Sequence, residues 1–518
     1  MDSALEIPWL PRLKANYIQL SGFEWPELSV GLVLRAFVTL ALVWSVLGLL
    51  YNLYLHPLAK FPGPFLARSS LLWRFWHSMG GHFHRVLDDA HHKYGDVVRV
   101  SPNELSFGSA GAFKDIYGNK PPGEPKVIKN EFYDMFGAGF SEPCLASERD
   151  PRKAGQKRGL FAHAFSAKGL MEQEEIMQRC IDQFILKLGK TGTKPEGVNL
   201  VKWLEMVAFD ILGEMAFGES FHCLENESSH FWLDVIFGHV FIVALMDNLR
   251  RYPLLLAAVK LLPSRLTNGL SKKQAQQTQL SKLKARTRLE KVEDQRDFMS
   301  NACQKVRDGQ VSEEEFAAHS SSLVIAGGET TATAMGALVY NVLKNDHVYA
   351  KLKQELRTRY KNLEEIDVVS TSQLPYLQAA IKESLRMFST NAQGLGRKSP
   401  GIEVDGHYVP EGAEIYVSPW TPAHHERYWN EPYVYNPDRW LDPNCQDYKA
   451  ASQPFSVGPR ACIGKHFAYA QMSLQLAKLV WMYDMELVRK DMDFEKEARM
   501  YFFWQKPKLE VRFHSPQI

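Results

Sequence analysis

Apolar residues near the start of the chain form one nearly continuous stretch. Residues 32–51 are a 20-residue apolar run that only Arg35 breaks. At 1.5 Å of rise per residue, a helix of this length crosses a hydrocarbon layer of roughly 30 Å, and Arg35, within one turn of its start, can extend to the interface. The run therefore predicts a transmembrane helix, with a buried core helix as the alternative.

Beyond this run, apolar positions follow helical spacing over long distances and strand-like alternation only locally. From about residue 160 to 356 they recur at steps of three and four, which is typical of amphipathic helices. Alternation in Asp96–Ser101 predicts a short strand, and Val404–Val417, with its Asp-Gly and Glu-Gly pairs, predicts a β-hairpin. The expected fold class is mainly α with minor β, in an α+β arrangement.

One long helix is predicted to begin near Ser312. Its helically spaced positions are Phe316, Ser320, Leu323, Gly327, Thr330, Ala334 and Leu338. Ser312 and Glu315 have the spacing of a capping box at its start. Gly327 and Gly328 lie in its middle, where each glycine costs roughly 1 kcal/mol relative to alanine. The sequence therefore has a local reason to keep this glycine pair.

A second helix is predicted after the loop Phe455-Ser-Val-Gly-Pro-Arg-Ala-Cys-Ile-Gly464. The apolar or small positions of this helix are Ile463, Phe467, Ala470, Leu474, Ala477 and Trp481, which form one face. Gly458 permits a left-handed backbone and Pro459 fixes φ, so the loop is expected to be stiff. Cys462 is expected at the helix N-terminus, where backbone N–H groups and the dipole lower a thiol's pKa from its reference near 8.5. The expected resting form is a metal-binding thiolate; a buried, inert cysteine is the alternative.

The whole pattern Phe-x-x-Gly-x-Arg-x-Cys-x-Gly resembles the haem-binding loop of the cytochrome P-450 family. The resemblance implies haem b with the Cys462 thiolate as its axial ligand. Phe455 and Gly464 then belong to the haem-binding loop, and Arg460 is expected to pair with a haem propionate. A solvated loop arginine is the alternative for Arg460.

The stretch Ala326-Gly-Gly-Glu-Thr-Thr331 resembles the central helix of the same family, which passes over the haem. Glu329 and Thr330 match the acid–alcohol pair that delivers protons during oxygen activation, and Ala326, one turn earlier, is expected to face the haem. The glycine pair is interpreted as a dent for dioxygen. A solvated helix face or an intrahelical hydrogen bond is the alternative for the Glu-Thr pair.

Three further residues resemble the family's Glu-Arg-Arg network, which stabilises the core around the haem loop. They are Glu383, Arg386 and Arg439, and they are assigned structural roles. Arg397 matches a family arginine that approaches a propionate. Arg158 is a candidate second propionate ligand, although Ala154 stands where an aromatic residue or histidine often accompanies it. Ser389-Thr390 replaces a common Pro-Pro pair before the substrate-facing loop 389–397.

Composition narrows the remaining function classes. The 518 residues are 45% hydrophobic and 23% charged with a net charge of +2, so neither disorder nor nucleic-acid binding is indicated. The six cysteines lack Cys-x-x-Cys spacing, which argues against a disulfide framework and a zinc site. No phosphate-binding, dinucleotide or nucleophile-elbow motif is present. Electrons are therefore expected from a separate protein.

The resemblance extends these patterns to organisation and location. It divides the chain into a lumenal segment 1–31, a transmembrane anchor 32–51, a proline-rich hinge 52–66 and a haem-thiolate catalytic domain 67–518 with a small β-sheet subdomain. The fungal microsomal type of the family implies the endoplasmic reticulum membrane and a cytosolic catalytic domain. It also implies NADPH-cytochrome P-450 reductase as a partner and leaves cytochrome b5 open as a second one, with membrane lipid around the anchor.

The predicted function is monooxygenation of a lipophilic small molecule in fungal secondary metabolism, such as a terpenoid, polyketide or alkaloid. Apolar residues within 220–262 are expected to form a lid over this substrate, and core packing explains them equally well. Three alternatives stay open: an aromatic-acid or xenobiotic hydroxylase of detoxification, a redox-neutral haem-thiolate isomerase or dehydratase, and a haem carrier or sensor.

Overall fold

The computed structural model describes residues 30–252, 256–257, 264–291 and 296–516. The chain divides into two compact units, residues 1–51 and 52–518. Helices make up 57% of the structure, which confirms the mainly α fold class with minor β structure.

The α-helices of the described chain fall into three stretches. The first stretch contains α1 Val30–Leu50, α2 Phe65–Ser69, α3 Leu72–Met79, α4 Phe83–Tyr94, α5 Ala112–Tyr117 and α6 Pro151–Phe161. The second contains α7 Ala167–Thr191, α8 Leu200–Phe217, α9 Phe231–Leu249, α10 Ser264–Glu290, α11 Ser300–Arg307 and α12 Glu313–Lys344. The third contains α13 Asp346–Arg359, α14 Val368–Ser372, α15 Pro375–Met387, α16 Trp420–His424, α17 Lys465–Met482 and α18 Phe494–Glu497.

The strands are short and come from distant parts of the sequence. They are β1 Val97–Ser101, β2 Glu104–Phe107, β3 Ile128–Lys129, β4 Val198–Asn199, β5 Arg397–Lys398, β6 Ile402–Val404, β7 His407–Val409, β8 Glu414–Val417, β9 Asp484–Leu487, β10 Arg499–Met500, β11 Trp504–Gln505 and β12 Glu510–His514. The largest sheet has the order β1-β2-β8-β5-β3, and β4-β12-β9 form a second sheet. The predicted strand at Asp96–Ser101 is β1.

The predicted hairpin at Val404–Val417 is only partly correct. Strands β6 and β7 form an antiparallel pair, whereas β8 pairs in parallel with β2 and antiparallel with β5. Each residue of β8 is buried, so this strand belongs inside the larger sheet rather than in a solvent-facing hairpin.

The first unit contains the predicted anchor. Helix α1 continues as a π-helical turn, Tyr51–Leu55, and Gly31–Leu55 is long and apolar enough to cross a membrane, with its apolar side chains exposed. An exposed apolar helix of this length fits a membrane anchor. Helix α12 passes the same length and composition test, but two thirds of its apolar window is buried, as expected for a core helix.

Helix α12 packs against α8, and the glycine pair makes this close approach possible. A Cβ atom at Gly328 would lie 2.7 Å from the ring of Phe209, and one at Gly327 would lie 3.0 Å from the side chain of Leu212. Helix packing therefore favours glycine at both positions, and the interpretation of the pair as a dent for dioxygen stays a prediction.

The start of α12 is capped, but not by a full capping box. Ser312 Oγ accepts from the backbone N–H of Glu315 at 3.0 Å. The Glu315 carboxylate instead contacts Lys157 Nζ at 2.6 Å and His319 Nε2 at 3.2 Å. Half of the predicted box is therefore present, and the other half is replaced by an ion pair that joins α12 to α6.

Helix α17, which follows the cysteine loop, is buried on all sides rather than on one face. Its residues from Ala470 to Val480 are all buried, including Gln471, Gln475 and Lys478. The predicted apolar face is correct for Phe467, Ala470, Leu474 and Ala477, but the polar positions between them are buried as well. The amphipathic interpretation is therefore wrong, and α17 is a core helix of the second unit.

Candidate active site

The cysteine loop is stiff for reasons visible in its backbone. Gly458 has φ +75°, and a Cβ atom there would lie 2.0 Å from the carbonyl oxygen of Tyr117, so only glycine fits. Gly458–Arg460 form a 3-10 turn, and the backbone N–H of Cys462 donates to the carbonyl of Phe455 at 2.9 Å. The loop therefore holds Cys462 in place just before α17.

All six cysteines lie in the described part of the chain, and only Cys462 is exposed. The protein nevertheless surrounds its thiol, and this exclusion of water is the largest influence on the pKa of Cys462, which it raises. An accessible sulfur in such surroundings faces an internal space rather than the outer surface. This is the geometry that a metal-bearing group needs in order to reach a single cysteine.

The net effect on the Cys462 thiol is opposite to the sequence prediction. Exclusion of water raises its pKa, and the N–H of Gly464 and the charges of Arg158 and Lys465 only partly oppose this. The expectation that the helix N-terminus alone makes the thiolate the resting form is therefore wrong. A bound metal ion deprotonates a coordinating thiol outright, so ionisation here depends on the metal.

Two residues define the space beside the sulfur. A Cβ atom at Gly464 would lie 3.9 Å from Cys462 Sγ, so glycine keeps that side open to a flat ligand. Arg158, on α6, donates through Nη1 to the carbonyl of Ala461 at 2.8 Å. Arg158 therefore contacts the cysteine loop directly, and its charge acts on the Cys462 thiol.

Lys129 and Arg397 bring two positive charges together. They lie directly opposite each other in β3 and β5. Lys129 Nζ donates to the carbonyls of Leu145 and Ala146, at 3.3 and 2.6 Å, and Arg397 Nη1 donates to the hydroxyl of Tyr133 at 2.8 Å. Like charges opposite each other in a sheet are destabilising.

Arg460 adds a third cation to this cluster. Its guanidinium donates to the main-chain carbonyls of residues 148, 149 and 150, at 3.0 to 3.1 Å. Burial lowers the pKa of Lys129 to about 7, and the charges of Arg460 and Arg397 add to this effect. Burial and then Arg397 also lower the pKa of Arg460, partly offset by Glu148. A buried cluster of this kind fits a dianionic ligand such as the two propionates of a haem.

The alcohol of the predicted acid–alcohol pair bonds within its own helix. Thr330 Oγ1 donates to the carbonyl of Ala326 at 2.6 Å. Ala326 is exposed, although it lies near the middle of the core helix α12. Ala326 therefore marks the point at which α12 borders an open space.

Glu329, the acid of that pair, bonds to residues other than Thr330. Glu329 is buried, and its Oε1 accepts from Lys506 Nζ at 2.6 Å and from Thr333 Oγ1 at 3.1 Å. Lys506 also pairs with Glu205 at 3.0 Å, which gives one cation between two carboxylates. In the described chain no hydrogen bond joins Glu329 to Thr330, and Glu329 Oε2 is buried without a partner.

The cluster of Glu329, Lys506 and Glu205 shifts the pKa values of Glu329 and Lys506. Burial raises the pKa of Glu329 to about 7, with Lys506 opposing the shift and Glu205 adding to it. The two carboxylates raise the pKa of Lys506 against the opposite effect of burial. The two directions agree, because a cation shared by two carboxylates stays charged while one of the carboxylates retains a proton.

A cavity adjoins Ala326. It contains about 870 Å³ of empty space, part of it open to solvent, and its lining combines aromatic and aliphatic side chains with amides and hydroxyls. The lining residues are Phe132, Met135, Phe136, Ala138, Phe140, Val235, Val240, Val243, Gln274, Gln277, Thr278, Ser321, Ser322, Ile325, Ala326, Phe502 and Phe503. The cavity is shaped for an apolar molecule next to α12.

Glu383, Arg386 and Arg439 meet in one buried network. Glu383 accepts from Arg386 Nε at 2.9 Å and Nη2 at 2.8 Å, from Arg439 Nε at 3.0 Å, and from Trp440 Nε1 at 2.9 Å. Arg386 also donates to the carbonyls of Ala423 and Pro432, both at 2.7 Å. The network ties α15 to the segment that leads to the cysteine loop.

Comparison with known proteins gives this arrangement a family. The model of the family described as Cytochrome P450 matches residues 62–513. The chain belongs to the cytochrome P450 family. It is 44% identical over 494 residues to "Cytochrome P450 monooxygenase ORF9" of Penicillium roqueforti, covering 95% of this chain and 96% of that protein. It is 45% identical over 513 residues to "Cytochrome P450 monooxygenase BOT4" of Botryotinia fuckeliana, covering 98% and 95%.

A third relative carries a more specific name. The chain is 35% identical over 480 residues to "Trichothecene C-15 hydroxylase" of Fusarium sporotrichioides, covering 91% of this chain and 96% of that protein. With these relatives, the predicted family, the enzyme class of monooxygenase and a haem cofactor with a cysteine thiolate ligand are confirmed.

Sequence reasoning missed the residues that complete this P450's site. Lys129, Tyr133, Lys506 and Glu205 carry no local motif, and each reaches the site only through contacts with residues distant in sequence. The predicted lid lies partly outside the described residues. Within them, Val235, Val240 and Val243 of α9 line the cavity, whereas most of Leu254–Val259 is not described.

Proposed function

We propose that this P450 is a membrane-anchored monooxygenase that inserts one oxygen atom of O2 into a C–H bond of a lipophilic small molecule in fungal secondary metabolism. The second oxygen atom leaves as water, which consumes two protons and two electrons. A relative named as a trichothecene hydroxylase supports oxidation of a natural product of this kind. The electrons come from NADPH through a separate reductase, with cytochrome b5 as an optional second donor.

The observation that carries the proposal is the accessible sulfur of Cys462 within the protein body. Cys462 binds the haem iron as a thiolate, and Phe455 and Gly464 shape the loop around it. Arg397, Arg460 and Lys129 orient the group through its propionates, and Arg158 fixes the loop at Ala461. Haem with a thiolate ligand supplies oxygen activation, because electron donation from sulfur favours O–O cleavage.

Residues of α12 would deliver the protons that oxygen activation consumes. Thr330 positions its hydroxyl beside Ala326, and Glu329, whose pKa is about 7, can both release and take up a proton near neutral pH. Transfer between them requires a rotation of the Glu329 side chain or an intervening water. The aromatic side chains of the cavity wall reduce the access of water to the reacting carbon.

The chain is organised around its membrane anchor. Residues 1–31 are a lumenal segment, 32–51 the anchor, 52–66 the hinge and 67–518 the catalytic domain, in the endoplasmic reticulum membrane with the catalytic domain in the cytosol. Glu383, Arg386 and Arg439 have a structural role around the cysteine loop, supported by their buried network.

The test combines spectroscopy with product analysis. Microsomes that contain the chain and a reductase are expected to show the red-shifted Soret band of the reduced carbonyl adduct, and to convert members of a panel of lipophilic metabolites into products heavier by one oxygen atom. Cys462→Ser is expected to abolish both signals, with Cys445→Ser as the matched control. Persistence of both signals in Cys462→Ser would contradict the proposal.

A second measurement separates monooxygenation from redox-neutral chemistry. Thr330→Ala is expected to uncouple NADPH consumption from product and to release peroxide, whereas Thr330→Ser keeps the hydroxyl and the coupling. Product formation without NADPH consumption, unchanged in both variants, would instead indicate an isomerase or dehydratase, which needs neither electrons nor proton delivery.

A further inference from the structure

Two polar side chains in the cavity wall have no partner. Gln277 of α10 and Ser321 of α12 are 5% and 4% exposed, and both line the cavity beside Ala326. Within the described residues neither side chain makes a hydrogen bond. Neither is among the polar atoms that are completely enclosed without a partner, so the polar ends of both reach the cavity.

Three neighbouring polar side chains are bonded within the protein, whereas Ser322, a half-buried residue of the same wall, makes no hydrogen bond among the described residues either. Ser320 Oγ donates to the carbonyl of Phe316 at 3.1 Å, Gln274 Nε2 donates to the carbonyl of Ala138 at 3.2 Å, and Thr278 Oγ1 donates to the carbonyl of Gln274 at 3.0 Å. Buried polar groups in folded proteins are nearly all hydrogen-bonded. An unpaired amide and an unpaired hydroxyl on the wall of one cavity therefore point to a ligand that pairs with them.

The charge of the wall limits what that ligand can be. Among the described residues that line the cavity, none is charged. A carboxylate or ammonium group would lose its hydration there without gaining an opposite charge. A side-chain amide and a hydroxyl can each donate and accept a hydrogen bond, so they suit a neutral oxygen such as a hydroxyl or a carbonyl.

We propose that the cavity binds a neutral lipophilic molecule that already carries a hydroxyl or carbonyl group, and that Gln277 and Ser321 recognise this group while the aromatic wall holds the carbon skeleton. This substrate class rests on the proposed function, because it takes Ala326 as the end of the cavity at which oxidation occurs. Gln277 and Ser321 are then positioning residues that select the carbon atom to be oxidised.

The helix geometry gives the distance between the two ends. Ser321 and Ala326 are five residues apart on α12, which is about 7.5 Å along the axis at 1.5 Å per residue. The recognised oxygen and the carbon to be oxidised therefore lie in different parts of the substrate. An earlier step must therefore introduce this hydroxyl or carbonyl group, and the product carries a second oxygen function remote from the first.

The inference is tested on the full-length holoenzyme with four probes that share one skeleton: decalin, 2-decalol, 2-decalone and decalin-2-carboxylate. Binding is measured from the spin-state change of the haem and, separately, from the shift in thermal unfolding. Gln277→Leu and Ser321→Ala are each expected to weaken binding of the alcohol and the ketone by about 3- to 10-fold, with decalin unchanged or tighter. Ser320→Ala, whose hydroxyl is already bonded within its helix, is the matched control and is expected to change none of these affinities.

The carboxylate is expected to bind at least about 10-fold more weakly than the alcohol, because nothing in the described wall neutralises it. Unchanged affinity for the alcohol and ketone in both variants, or tightest binding of the carboxylate, overturns the inference. Retention of the thiolate-type carbonyl band in each variant shows that the haem site is intact. Loss of that band from the unaltered protein would refute the proposed function instead, so the two failures are distinguishable.

Discussion

Glu329 offers a sharp test of the electrostatics beside α12. It is fully enclosed, shares Lys506 with Glu205, and has its pKa raised to about 7 by burial. Between pH 4.5 and 7 the folded protein therefore retains a proton on Glu329 that the unfolded chain has already released. Stability falls with pH wherever the folded state binds more protons than the unfolded state. This side chain must therefore destabilise the protein progressively as pH rises through that window.

The magnitude follows from the two pKa values. A rise from 4.5 to about 7 corresponds, at 1.36 kcal/mol per unit, to about 3 kcal/mol of stability lost between pH 4 and pH 8. Glu329→Gln keeps the size of the side chain and removes its titration. The variant is therefore expected to gain about 3 kcal/mol relative to the unaltered protein on going from pH 4 to pH 8, whatever the offset between them at pH 4.

The assay is urea unfolding of the purified holoprotein in detergent across this pH range, followed by tryptophan fluorescence and by loss of the Soret band. Glu313→Gln is the matched control, because Glu313 is an exposed carboxylate in the first turn of the same helix, and its removal is expected to leave the pH dependence unchanged. If Glu329→Gln and the unaltered protein lose stability in parallel from pH 4 to pH 8, then Glu329 is not the group that titrates near neutrality, and the shared-proton reasoning is refuted.

Three further predictions concern packing and cofactor retention. Gly328→Ala, which puts a methyl group 2.7 Å from the Phe209 ring, is expected to lower stability by about 1 to 3 kcal/mol in thermal unfolding. The control is Gly155→Ala in α6, where an added methyl group has no atom within 4 Å. This variant should be neutral or stabilising. Glu383→Gln leaves the buried guanidinium of Arg386 without a carboxylate and Arg439 with Asp447 alone. We therefore expect a loss of about 3 to 5 kcal/mol and low haem content by the reduced carbonyl spectrum, with the exposed Glu411→Gln unaffected. Lys129→Met is expected to accelerate transfer of haem to apomyoglobin several-fold, whereas the exposed Lys126→Met should not; equal rates would remove Lys129 from the propionate site.

The parts of the site that could be predicted are those in which neighbours in sequence are neighbours in space. The cysteine loop is one such case, because Gly458, Pro459 and Cys462 act within one turn and the next helix. Glu383 and Arg386 are another, since their separation of three residues on α15 already places them on one face. In both cases a short sequence motif already determines which side chains lie close together.

The parts that could not be predicted depend on pairings between distant segments. Lys129 becomes part of the site only because β3 pairs with β5 and places it opposite Arg397. The packing of Phe209 and Leu212 against the glycine pair is another such case, because it joins α8 and α12, which are distant in sequence. The family motif sets Glu329 and Thr330 side by side in sequence, but adjacent helical residues point about 100° apart, and Glu329 bonds to Lys506 and Thr333 rather than to Thr330.

The separation of Glu329 from Thr330 also bears on how the two faces of α12 work together. Ala326 borders the cavity in which we propose that the substrate binds, and Thr330 bonds to the Ala326 carbonyl. Glu329 instead belongs to a buried ionic cluster with Lys506 and Glu205. A carboxylate left free in the cavity would attract water and cations into an apolar space. With Glu329 held by Lys506, the described residues of the cavity wall are all uncharged, and this lack of charge favours the proposed neutral substrate over an aromatic acid.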